Sequence, residues 1–234
     1  YAAKHASIAN AWKKWQGEVL GLRRLGTADK KRAYEKRFAA WAASKPEYAG
    51  LLDSIRTAYD AAKPEYYVYE LYTESVGAIE AVRFASQLTA RRSRMKEGED
   101  FASAAREMRE SFMKDYSPKI DRAIARKMLG EFLDRMPADR VPAELAAAVA
   151  ECGGAAEYVD RLYDNTTLTA ESFDPAKIDD DPMVRFVAMF SPLRKRIAES
   201  AYRNLSNIPS VERWYRPFVR AMMEWDRDRA FFPD

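Results

Sequence analysis

The sequence has one cysteine and one histidine in 234 residues. The lone Cys152 excludes an intrachain disulfide and says little about compartment, since many periplasmic proteins also lack disulfides. A thiol nucleophile needs a base, and His5 lies far from Cys152 in sequence. His5 has no cysteine or second histidine within helical reach, so it reads as a partly buried structural side chain. No metal-ligand spacing or phosphate-binding loop occurs, and neither a metal nor a cofactor is expected. Ser7, Ser117, Ser191 and Ser210 sit near helix ends, and none lies in a G-x-S-x-G elbow. By local chemistry the chain is no complete enzyme.

Other features are also missing. No apolar run approaches the roughly 20 residues of a membrane span. The net charge is only +3, from 39 basic and 36 acidic residues, so composition gives no argument for nucleic acid or an anionic membrane. No alternating strand pattern persists, and no fixed-period repeat or low-complexity segment is found. No signal peptide is present. The chain opens on Tyr1, which predicts that any targeting segment lies upstream.

What remains is a helical vocabulary. Almost half the residues are apolar and a third are charged, which favours a soluble, mainly helical protein with a substantial core. Punctuation predicts one helix to about Leu22, ended by Gly26, and a second capped by Thr27 with Tyr34, Phe38 and Trp41 on its stripe. Ser44-Lys45-Pro46-Glu47 reads as a capping box for a third helix carrying Leu51, Leu52, Ile55 and Tyr59. Pro64-Glu65 opens a long fourth through Val76, Ile79, Val82 and Leu88. Phe101, Met108 and Phe112 line the next, and Ser117-Pro118 caps another with Ile120, Ile124, Phe132 and Leu133. Shorter helices follow Pro142. Asp181-Pro182 starts a helix to about Leu205, bent at Ser191-Pro192, and a last helix from Ser210 contains Pro217. The expected fold is all-α, a large bundle of long antiparallel helices with shorter ones in the C-terminal half. The charged run "RRSRMKEGED", residues 91–100, predicts a hinge between lobes 1–92 and 99–234.

Three clusters invite chemistry. "DPAKIDDDP" gathers Asp174, Asp179, Asp180 and Asp181, but lacks the turn glycine and terminal glutamate of a calcium loop, so capping by Asp181 and a solvated loop are expected. Arg91, Arg92, Arg94 and Lys96 carry no interleaved aromatics for stacking bases. "PEYYVYELY" places Tyr66, Tyr69 and Tyr72 as helical neighbours, either a core edge or a groove for a peptide or partner helix. A standalone adaptor that binds proteins through that helix is the rival functional reading.

The opening "SIANAWKKWQGEVLGL" carries an oddity. Ile8, Trp12, Trp15, Val19 and Leu22 form one apolar stripe. Gly17 and Gly21 interrupt the opposite face, each costing about 1 kcal/mol against alanine. Asn10 shares that face. In this register the stretch resembles the start of the helical domain of the bacterial serine dipeptidyl peptidases of the 7 and 11 type. "DKKRAYEKRFAAWAA", "DYSPKIDRAIARKML" and "EYVDRLYDNTTLT" with "DDDPMVRFV" resemble the same family in the same order, and the closing "FFPD" resembles its return to a catalytic barrel.

The resemblance implies a chymotrypsin-like double β-barrel with a large helical domain inserted in its sequence. The chain would be that insertion, a cap domain over residues 1–234, with the catalytic Ser, His and Asp in barrel segments of the same polypeptide outside it. It implies a peptide N-terminus as ligand, a periplasmic or cell-surface location, and a possible homodimer. The family's amine-binding Asn matches Asn10, and Gly17 and Gly21 would let the helix approach neighbouring backbone. Ala11 stands where the family often has an aromatic residue. A cap or surface role for Asn10 is the alternative.

Overall fold

The computed structural model describes residues 2–199 and 209–227. Eleven α-helices occur among them, with no strand. They are α1 (Ala2–Arg24), α2 (Thr27–Ala42), α3 (Leu51–Glu74), α4 (Glu80–Ser93), α5 (Phe101–Met113), α6 (Pro118–Arg135), α7 (Ala143–Cys152), α8 (Ala155–Asn165), α9 (Pro182–Met189), α10 (Ser191–Glu199) and α11 (Pro209–Trp225). Short 3₁₀ turns precede α4, α7 and α9. The all-α expectation holds. The continuation expected to Leu205 and the closing "FFPD" lie outside the described residues.

Two compact units divide the chain, one of residues 1–60 with 209–234, the other of 61–208. This corrects the expected lobes 1–92 and 99–234. The boundary falls inside α3, where the sequence carries no linker composition. The run at 91–100 is the last turn of α4 followed by a loop over 94–100, turned by Gly98 at φ 89°, and it joins two helices of the same unit. Asp100 caps α5 by accepting from the Ser103 amide. Phe84 of α4 stacks on Phe112 of α5 at 4.4 Å between ring centroids, so the helices on either side of the loop are packed together.

Local signals were overridden in four places. Thr27 is the first helical residue, because Gly26 takes the cap position at φ 59°. Ser44 donates its hydroxyl to the Trp41 carbonyl instead of opening a helix, and α3 begins at Leu51. Pro64 does not start a helix but sits inside α3. An interior proline costs about 3 kcal/mol, which burial of Ala62 and Val68 around it offsets. The expected long helix through Val76 and Leu88 breaks at 75–79 instead. There a Cβ on Gly77 would come within 3.1 Å of the Tyr72 carbonyl oxygen, a tight approach that favours glycine.

In the unit of residues 1–60 and 209–234, the core is aromatic. Phe38, Ala42, Tyr48, Leu51, Ala221 and Met222 are buried. Tyr34 and Phe38 of α2 meet the Trp225 ring of α11 at 4.7 and 5.3 Å. Lys45 donates to Glu224 at 2.5 Å, which holds the Glu224 carboxyl below the usual carboxylate range. Pro217 sits within α11.

In the unit of residues 61–208, α8 lies along α6 and α4 packs on α9. Phe84, Leu88, Leu129, Phe132, Phe186 and Phe190 are fully buried between them. Ile120 and Ile124, expected on the packed stripe of α6, are exposed, because α6 turns Asp121, Ala125, Leu129 and Phe132 inward. Asp121 is buried and accepts four hydrogen bonds. They come from the Glu80 and Ala81 amides at 2.9 and 3.0 Å and the Tyr116 and Tyr163 hydroxyls at 3.3 and 2.6 Å. One carboxylate thereby caps α4 and binds α6, α8 and the turn before α6. Asp181 does similar work, accepting from Thr166 and Thr167 and from the Met183 amide at 2.8 Å. Outside the core, Arg122 pairs with Asp160 and Asp164, and Arg126 with Asp160.

Replacing Asp121 with asparagine presents an amide donor to a ring of donors. We expect Asp121→Asn to lower the unfolding free energy in urea by about 2–3 kcal/mol, the cost of leaving buried donors without an acceptor. An unchanged midpoint and slope would contradict the assigned role.

Candidate functional site

The residues singled out by the sequence fall into three structural fates. The first is capping and ion pairing. Asp174 caps the 3₁₀ turn at Pro175–Asp180 and Asp181 caps α9. Asp179 pairs with Arg92 at 2.9 Å and Asp180 with Arg185 at 2.8 Å. The acidic loop and the basic run thus meet each other. Arg92 also lies over the Phe101 ring, and Arg91 reaches Glu99 at 3.6 Å. Among the described residues no group of three or more His, Cys, Asp or Glu side chains is placed to hold a metal ion.

The second fate is the core. Tyr69 and Tyr72 pack against it, and Tyr72 meets Phe190 at 5.5 Å. Tyr67 stays exposed and donates to the Arg135 carbonyl. Tyr66 is half-buried beside Tyr69 at 6.3 Å, so the helix is a core edge on the side of Tyr69 and Tyr72.

A cavity of about 380 Å³ opens between α7, α8 and α9, lined by Glu151, Tyr158, Arg161, Asn165, Arg185 and Met189 among others. Burial pushes the Tyr158 hydroxyl up to about 12, and it points at the Met189 sulfur at 3.8 Å. Nearby, the Arg161 guanidinium donates to the half-buried Cys152 sulfur at 3.5 Å.

The third fate is exposure. No residue of α1 is buried. Asn10 is exposed, and so is His5, contrary to the partly buried position expected for it. The stripe that reads as a core face stands open, with Ile8 at 71%, Trp12 at 63% and Trp15 at 68% exposure. Among the described residues Gly17 and Gly21 have nothing within 4 Å of where a Cβ would stand, so the expected close approach of backbone is not seen there. Within the unit of residues 1–60 and 209–234, both the apolar stripe of α1 and the face bearing Asn10 are exposed among the described residues. Asn10 can offer an amide oxygen to a cationic donor without adding charge.

Sequence reasoning missed Asp121. The signal was present, since Tyr116 and Asp121 lie in "DYSPKIDRAIARKML" and Tyr163 in "EYVDRLYDNTTLT". These stretches meet in space through buried hydrogen bonds, and "DDDPMVRFV" joins the second through Asp181.

The chain belongs to the peptidase S46 family, whose profile matches residues 1–234. It is 28% identical over its whole length to dipeptidyl-peptidase 7 of Porphyromonas gingivalis and 27% identical to the Asp/Glu-specific dipeptidyl-peptidase of the same organism. The matches cover 34% and 35% of those relatives, so the chain spans about a third of their length. Its fold is similar to the dipeptidyl peptidase 11 of Porphyromonas endodontalis crystallised with the dipeptide Arg-Glu, at TM-score 0.76, 24% identity, and coverage of 97% of this chain and 34% of that one. The same enzyme in complex with substrate gives TM-score 0.70 at 22% identity. No described helix is long and apolar enough to cross a membrane.

The Tyr158 hydroxyl provides a check on the α7–α9 packing. Its neutral form is favoured in the fold, so its contribution is complete below the ordinary value of 10.0 and is lost as pH rises toward about 12. The phenolate absorbance of the parent minus that of Tyr158→Phe should show one group titrating near the upper value. A difference titrating near the ordinary value would contradict its burial.

Proposed function

We propose that this chain is the helical cap domain of a serine dipeptidyl peptidase that releases dipeptides from peptide N-termini. The carrying observation is the match to the peptidase S46 family over residues 1–234, at a third of the relatives' length. In this reading the nucleophile, its base and the orienting carboxylate lie in a β-barrel formed by other parts of the same polypeptide. The chain alone is then inactive, and the full enzyme works in the periplasm or at the cell surface.

The physical task of such a cap is to measure length. An exopeptidase must hold a free α-amine at a fixed distance from the scissile bond and wall off whatever lies beyond. Burying an ammonium without acceptors is costly. Asn10 offers one, on the exposed face of α1 away from the apolar stripe. The unoccupied space beside Gly17 and Gly21 on that face supports its use by a ligand backbone. Side-chain preference at the residue before the cut belongs to the barrel.

The test uses the full polypeptide. Asn10→Ala should lower kcat/KM for free-amine dipeptidyl substrates by about 10- to 100-fold, the worth of one hydrogen bond to a charged group. Its circular dichroism and melting should match the parent, because Asn10 is exposed. Equal activity of variant and parent would remove Asn10 from the site. Hydrolysis by the 234-residue chain alone would overturn the assignment to a cap.

A further inference from the structure

The cavity of about 380 Å³ between α7, α8 and α9 lies in the unit of residues 61–208 and shares no residue with the Asn10 face. Its floor is apolar, with Tyr158 and Leu162 each 6% exposed and the half-buried Met189 beside them. Its rim is charged and carries both signs, with Glu151 from the last turn of α7, Arg161 from α8 and Arg185 from α9. Elsewhere in this unit neighbouring charges close on each other, as Arg122 and Arg126 do on Asp160. Here they do not. Among the described residues Glu151 makes no ion pair, and the Arg161 guanidinium donates to the Cys152 sulfur at 3.5 Å instead of to a carboxylate. Arg185 pairs with Asp180, but both are well exposed, and such pairs are weak enough to share.

This lining discriminates between ligands. A simple anion meets Glu151, a simple cation meets two guanidinium groups, and like charges brought together are costly. A wholly apolar ligand covers the charged rim without pairing it. A zwitterion with an apolar side chain satisfies all three parts. Its ammonium suits Glu151, at the negative pole of α7. Its carboxylate suits the planar fork of a guanidinium. Its side chain suits the floor. Ligand cavities run from about 300 to 1,000 Å³, so this one is at the small end of the range. We propose that the cavity binds a free zwitterion of one or two residues with an apolar side chain, an amino acid or a dipeptide. The assignment does not rest on the cap reading, although a dipeptide is what that reaction releases.

The test follows the Met189 methyl group by NMR of the full polypeptide with methyl-labelled methionine, its signal identified by Met189→Leu. Leucine and leucyl-leucine should each be titrated in. Saturable movement of the Met189 signal supports the site, and the ligand with the lower Kd names the source. The acetylated and the amidated forms of that ligand each lack one charge and should bind at least about tenfold more weakly, the worth of one hydrogen bond to a charged group. Glu151→Gln and Arg161→Gln should each weaken the zwitterion to the same degree. Both side chains are exposed, so the ligand-free Met189 signal should keep its parent position in the variants. No movement with either ligand at about 10 mM overturns the proposal, because that level fills even a site with Kd of about 1 mM. Equal binding of the capped forms, or undiminished binding by both variants, also overturns it. The readout needs no hydrolysis, so a polypeptide that binds the zwitterion but releases no dipeptides supports this site and refutes the cap reading alone.

Discussion

A buried carboxylate has to find donors, and Asp121 finds four of them on separate pieces of chain. That requirement organises the unit of residues 61–208. The first turn of α4 supplies two amides that have no partner within their own helix. The loop before α6 and the body of α8 supply two hydroxyls. An uncompensated charge in this position would cost several kcal/mol, so the four elements are held to one arrangement. Asp181 repeats the device at the start of α9, and Arg109 ties the intervening loop down through the Leu168 and Ala170 carbonyls. The apolar core then fills a frame whose corners are polar.

This explains what could and could not be seen in the sequence. Helix existence was legible, because 3.6-residue spacing and turn glycines such as Gly26 act locally. Where tertiary burial opposed a local signal, burial won. Pro64 should have started a helix and instead lies inside one, between buried neighbours. The unit boundary was not legible, because it falls inside α3 and follows which side chains pack together. The charged run at 91–100 looked like a hinge, yet Arg91 and Arg92 engage Glu99 and Asp179. Asp121 looked like an ordinary first-turn acid, since its donors lie as far as 42 positions away. Asn10 could be singled out only by resemblance, because an exposed asparagine has no local signature of its own.

α1 is where the fold and the proposed activity meet. Elsewhere among the described residues Asp121 and Asp181 find their donors, and Asp160 and Asp179 find arginines. The first helix differs, because its apolar stripe of Ile8, Trp12, Trp15, Val19 and Leu22 is exposed. The exposed Asn10 face is the one that the proposed function assigns to the substrate amine.

The central claim is that Asn10 receives the peptide's free amine. A crystal structure of the full polypeptide with a bound dipeptide tests it most directly. The account predicts the Asn10 amide oxygen at about 2.9 Å from the α-ammonium nitrogen. An ammonium held wholly by other residues, with Asn10 turned to solvent, would contradict it.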